Sequence, residues 1–132
     1  MNTAERFLTL HALVSSIEQR INGRLVHGAA LSEIVLLKAI SAAGPDGIRR
    51  QDLAQAVYLS PSGVTRAIQP LEKAGYVETL EPQSTGDALR WTDARVRKVR
   101  MTANGQALFE EIYRDFQQRM SFLKDEITAL MK

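Results

Sequence analysis

The chain has 132 residues, a formal net charge of +2, 45% hydrophobic and 24% charged residues, and no cysteine. That length supports one domain with a proper core but not two independent ones, and the composition is that of a folded rather than a disordered chain. It excludes a disulfide scaffold, a thiolate metal site and a thiol redox switch, and with no stretch near the ~20 apolar residues of a membrane span and no signal-peptide pattern, a cytoplasmic protein is expected.

Taken in chain order, Phe7, Leu10, Val14, Ile17, Ile21 and Leu25 recur at three- and four-residue steps. This predicts one amphipathic helix from residue 4 to about residue 27. Ser32 is placed to cap a second helix over residues 33–42, with Ile34, Leu37 and either Ile40 or Leu36 facing inward. Gly44-Pro45-Asp46-Gly47 is turn chemistry, and Ile48 after it is a candidate for a minimal strand.

Residues 48–77 are the most informative stretch. A short helical pattern over 51–57 is followed by Tyr58 and Leu59, and Ser60 then stands where it can cap a second helix that opens with Pro61. Ser at the N-cap and Pro at the first helical position are preferred start residues. Two helices this short, joined by a tight polar turn, form the helix-turn-helix that places its second helix in a DNA major groove.

On that second helix Val64, Ile68 and Leu71 share one face, with Ala67 and Ala74 beside them. The other face carries Ser62, Thr65, Arg66, Gln69 and Lys73. Such groups hydrogen-bond to phosphates and base edges, Arg suiting guanine and Gln suiting adenine. A solvated face on an ordinary core helix looks the same in one helix taken alone. Pro70 costs the helix interior ~3 kcal/mol and is expected to kink its last turn, leaving residues 62–69 as the reading segment.

Gly75 ends the helix, residues 76–81 read as a strand, and residues 95–101 read as a second strand after a loop. Arg90, Arg95, Arg97, Lys98 and Arg100, opposed only by Asp93, give this hairpin a local positive field suited to phosphates. A helix-turn-helix followed by a basic hairpin is a winged helix. Thr102 is then a candidate N-cap for a last helix along Leu108, Ile112, Phe116, Met120, Leu123, Ile127 and Leu130. At nearly thirty residues that helix spans ~40 Å, more than a small winged domain needs to cover its own core. The simplest partner for the excess apolar surface is a second copy of the chain; the alternative is a monomer whose terminal helices pack on each other.

Together these segments resemble the MarR family of bacterial transcription regulators. The resemblance runs through Leu53-Ala54, Leu59-Ser60-Pro61-Ser62, Val64-Thr65-Arg66 and Leu71-Glu72-Lys73-Ala74-Gly75. It continues in the wing with Asp93-Ala94-Arg95 and at the start of the last helix with Thr102-Ala103-Asn104-Gly105, and it covers nearly the whole chain. It implies a mainly α fold with a small β-hairpin wing. Residues 31–102 would form the winged helix-turn-helix, with dimerisation helices over residues 4–30 and 103–132.

It also implies a homodimeric repressor that reads a pseudo-palindromic operator in double-stranded DNA. The implied contacts are Ser60, Ser62, Thr65, Arg66, Gln69 and Lys73 from the helix, and Arg90, Asp93, Arg95 and Arg97 from the wing, Asp93 orienting Arg95. Many members release DNA when a small aromatic compound binds between the winged region and the dimer helices; Phe7, His11 and Tyr113, with Phe116, are the candidates for lining such a site. The lack of cysteine excludes the family's peroxide-sensing branch. The hairpin is several residues longer than the family's usual wing, so Arg90, beside Trp91, competes with Arg95 for the minor groove.

No phosphate-cradling glycine loop, nucleophile elbow or apolar pair of carboxylates is present. The two histidines, His11 and His27, have no clustered Cys, Asp or Glu beside them. Neither an enzyme, nor a cofactor, nor a metal site is expected. The competing class is a winged-helix adaptor that binds another protein without reading bases, for which the nearly neutral charge and the long wing with Trp91 argue.

Overall fold

The computed structural model describes residues 2–80 and 97–131. The chain divides into two compact units, one of Met1–Ile34 with Glu111–Lys132 and one of Val35–Glu110.

In the first unit α1 (Thr3–Ile21) starts at Asn2, whose side chain accepts the Glu5 amide at 2.8 Å. It ends well short of residue 27, correcting the single helix that the periodicity predicts. Asn22 leaves helical space at ψ 125°, Gly23 sits at φ +76°, and a short 3₁₀ turn, Val26–Gly28, follows. The reason is a capping bond across the loop: the Asn22 carboxamide oxygen accepts the Leu31 amide at 2.9 Å, satisfying an orphan donor of α2 (Leu31–Ala43). Ser32 therefore does not cap α2, as it was expected to. It lies exposed inside the first turn, and Glu33 Oε1 accepts the Ala30 amide from within the helix.

The last helix is also interrupted. α5 (Ala103–Met120) passes through a 3₁₀ turn, Ser121–Leu123, into α6 (Lys124–Met131). At the break the Ser121 hydroxyl donates to the Gln118 carbonyl at 2.8 Å, the local side-chain competition that makes serine a poor interior helix residue. Asp115 on α5 ties down the 22–30 loop: Oδ2 accepts the Val26 amide at 2.9 Å, and Oδ1 pairs with Arg119 Nε at 3.1 Å. Buried in this unit are Ile17, Ile21, Leu25, Ala29, Ile34, Ile112 and Leu123.

The second unit holds α3 (Arg50–Val57), α4 (Pro61–Lys73) and a three-stranded antiparallel sheet of order β1-β3-β2. β1 (Ile48–Arg49) is the minimal strand expected at Ile48; it pairs Ile48 with Val99 of β3 (Lys98–Met101). β2 (Val77–Leu80) pairs Val77 with Met101 and Glu78 with Arg100. Leu36, Leu37, Ile40, Leu53, Val64, Ile68, Leu71, Val77 and Val99 are buried, so both Leu36 and Ile40 face inward.

Thr102 joins the sheet to α5. Its hydroxyl donates to the Gly75 carbonyl at 2.6 Å and accepts the Gly105 amide at 3.0 Å, while its own amide donates to the Tyr76 carbonyl at 3.1 Å. A Cβ on Gly105 would sit inside the contact radius of that same Tyr76 carbonyl. Thr102 and Gly105 thus form one joint, in which the threonine bonds the α4–β2 corner and the glycine lets the backbones close on each other.

Candidate nucleic-acid interface

The turn between α3 and α4 is built by backbone geometry. Tyr58 adopts left-handed φ 59°, ψ 39°, and the Leu59 amide donates back to the Ala54 carbonyl at 3.0 Å. For a non-glycine residue this conformation costs about 1–2 kcal/mol, yet it stops α3 within one residue. Ser60 then caps α4, its hydroxyl accepting the Gly63 amide at 3.0 Å, and Pro61 supplies the pre-set φ of the first helical position.

α4 turns Val64, Ile68 and Leu71 into the core. Ser62, Arg66, Gln69 and Lys73 lie exposed on its other side. Thr65 differs from them: it is half-buried, its hydroxyl donates to the Pro61 carbonyl at 3.2 Å, and it lies 3.4 Å from an Arg50 nitrogen. The helix continues through the exposed Pro70 to Lys73. It closes with Gly75 at φ +81°, the Gly75 amide bonding to Glu72 and the Tyr76 amide to Leu71, which is the glycine-dependent helix stop.

Arg66, Gln69, Pro70, Glu72 and Lys73 line an open concavity of about 750 Å³. Arg66, Gln69 and Lys73 have no side-chain partner among the described residues. The two nearby carboxylates are neutralised, Glu72 by Arg50 at 2.9 Å and Glu78 by Arg100 at 2.5 Å. The exposed edge of α4 is therefore polar and locally positive.

On the wing side Arg97 and Lys98 are exposed. Arg100, counted by sequence among the phosphate-facing cations, is committed elsewhere, to Glu78 across the strand pair and to the Pro45 carbonyl at 3.3 Å. Arg90, Trp91, Asp93 and Arg95 lie outside the described residues. Of the aromatic-site candidates, Phe7 and His11 are exposed on α1, and Tyr113 is half-buried on α5 with its ring 6.3 Å from that of Phe116. His27 is placed against Glu111 at 2.9 Å. Sequence reading missed Arg50, since nothing local distinguishes it from its neighbour Arg49. Among the described residues no cluster of His, Cys, Asp or Glu could hold a metal, and no helix is long and apolar enough to cross a membrane.

Residues 36–78 match the family model for winged helix-turn-helix DNA-binding domains. No curated protein sequence matches the chain. Similar solved structures include S. aureus MepR in complex with DNA, 17% identical over 90% of this chain and 81% of that one, with a TM-score of 0.71. A MarR family transcription regulator is 20% identical over 96% and 83% of the two chains, with a TM-score of 0.68. NadR in complex with 4-hydroxyphenylacetate is 22% identical over 98% and 92%, with a TM-score of 0.62. At these identities the likeness is one of fold. The chain is thus a winged helix-turn-helix protein with the fold of the MarR-type transcription regulators over nearly its whole length.

Proposed function

We propose that this protein is a sequence-specific double-stranded DNA binder that regulates transcription as a homodimer, acting by binding and not by catalysis. The observation that carries this reading is the edge of α4, where Ser62, Arg66, Gln69 and Lys73 are exposed opposite the buried Val64, Ile68 and Leu71. In the major groove Arg66 and Gln69 offer paired donors and acceptors to guanine and adenine edges. Ser62 and Thr65 enter the groove beside them, Thr65 as an acceptor because its hydroxyl proton goes to the Pro61 carbonyl, while Ser60 and Lys73 bond phosphates and set the register. Arg97 adds a wing contact, and Arg90 or Arg95, the latter oriented by Asp93, enters the minor groove.

The dimer reading is supported by α1, whose Phe7, Leu8, Leu10 and Val14 are 65%, 64%, 41% and 39% exposed. A second copy that covers them through residues 4–30 and 103–132 presents two recognition helices to half-sites ~34 Å apart in a pseudo-palindromic operator. Occupying such an operator in the cytoplasm represses by exclusion. The aromatic ligand of the NadR structure supports a small aromatic effector, with Phe7, His11 and Tyr113 as its lining. It would release DNA only by preferring the dimer spacing that cannot span both half-sites.

Selection of duplexes from a random pool at ~50 mM salt tests the reading. Inverted repeats with centres one helical turn apart are expected. Arg66→Ala should cost ~1–3 kcal/mol and relax preference at one position per half-site. Arg97→Ala should weaken all sequences alike and lower the salt slope by about one. If no duplex is recovered and both variants match the wild type, the adaptor reading replaces this one.

A further inference from the structure

We propose that Arg50 is a positioning residue for DNA reading: it fixes the rotation of α4 against the wing strands, so that α4 and Arg97 meet one duplex together. The inference rests on the DNA-binding function proposed above. Arg50 is the first residue of α3, directly after β1. Its amide donates to the Arg97 carbonyl at 3.1 Å, anchoring its backbone to the wing. Its guanidinium reaches two further elements: one nitrogen donates to Glu72 Oε1 of α4 at 2.9 Å and to Thr79 Oγ1 of β2 at 3.0 Å. The other terminal nitrogen lies 3.4 Å from Thr65 Oγ1.

The partners also bond to one another. The Thr79 hydroxyl accepts from Arg50 and donates to Glu72 at 3.0 Å, closing a triangle between α3, α4 and β2. On α4, Thr65 and Glu72 lie one turn before and one turn after Gln69 on the same stripe. A clamp at those two points holds the helix against rotation just where Gln69 must face a base. The side chains of Arg50 and Glu72 are only 17% and 34% exposed, so water screens the pair weakly.

The planar, forked guanidinium suits this task, because it can address two elements at once in fixed directions. Among the described residues Arg50 Nε is buried without a hydrogen-bond partner, a desolvation cost that an apolar residue of similar volume would not carry. Such a residue could fill the space but could not set an angle. An interface made of two parts binds more tightly when their relative orientation is set beforehand, since no ordering is left for the moment of contact.

The test is a set of double-mutant cycles on the duplex recovered by the wild type, with Arg97→Ala introduced into the wild-type, Arg50→Met, Arg50→Lys and Thr79→Val backgrounds. Arg50→Met should weaken binding about tenfold, and Arg97→Ala should then add little, because the wing contact has already been lost. Arg50→Lys keeps the charge but not the fork and should behave like Arg50→Met. Thr79→Val removes one hydroxyl, serves where an Arg50 variant fails to fold, and should reduce the Arg97→Ala penalty without changing the thermal midpoint. An Arg97→Ala penalty that is the same in every folded background, zero included, overturns the inference while leaving the DNA-binding function intact. A wild-type protein that recovers no duplex overturns both.

Discussion

Helices α4 and α1 leave opposite kinds of surface uncovered. α4 buries Val64, Ile68 and Leu71 and exposes hydroxyl, guanidinium, carboxamide and ammonium groups, all of which water satisfies. α1 buries Ile17 and Ile21 towards its C-terminal end but leaves Phe7, Leu8, Leu10 and Val14 in water, at roughly 25 cal/mol for each Å² of apolar surface left wet. Water suits the first surface and not the second, which on the proposed reading a second copy covers. Among the described residues, only the first is ready for a polar, anionic partner that comes and goes; the second calls for permanent apolar cover.

The most severe disruption is expected at the joint that holds the α4 corner. Gly105→Ala drives a methyl into the Tyr76 carbonyl and should cost about 3 kcal/mol, read as a lower urea midpoint at unchanged slope. An unchanged midpoint would mean that α5 and the corner can separate freely. Next in size is Leu8→Glu, which should weaken self-association by about 2 kcal/mol, measured by sedimentation. Its far-ultraviolet dichroism should remain that of the wild type. Undiminished association would show that this face of α1 is not the contact.

Ser60→Ala removes the cap that starts α4. Losing the bond to the Gly63 amide should lower stability by about 1 kcal/mol, seen in thermal unfolding, and an effect near zero would mean that solvent replaces the cap.

The smallest effect concerns acid. The Val26 amide bond, helped by Arg119, holds the Asp115 carboxyl below the usual aspartate range against a partial desolvation. A depressed native pKa contributes stability above the unfolded-state pKa and loses it as pH falls through the native one. Asp115→Asn should therefore flatten the acid limb of the stability profile, and an identical limb in both proteins would remove Asp115 as its cause.

The helix-turn-helix is legible because its signals are local. Ser60 and Pro61 start α4, Gly75 stops it, the apolar spacing selects its buried face, and Thr102 with Gly105 marks the start of α5. All of these act within a few residues along the chain. The break after Ile21 is not legible, because Leu25 keeps the apolar period going and is buried from a non-helical segment instead. The bond that decides the matter runs from Asn22 to Leu31.

Charge was the least readable property. Arg100 counts by sequence among the phosphate-facing cations, but the β2–β3 register puts Glu78 opposite it and commits it to a partner across the sheet. Thr65 likewise belongs to the polar side of α4 by its spacing, yet Arg50 and the Pro61 carbonyl engage it.

By itself, then, the order of residues determined the helix-turn-helix, the start of α4 and of α5, and which face of α4 is apolar, since caps and periodicity depend on neighbours in the chain. Only the folded structure decided which charges remain available and which are spent. Arg50 meets Thr65, Glu72 and Thr79, and Arg100 meets Glu78, across separations at which local preferences carry no information. Those pairings exist only once strands have chosen a register and helices have packed.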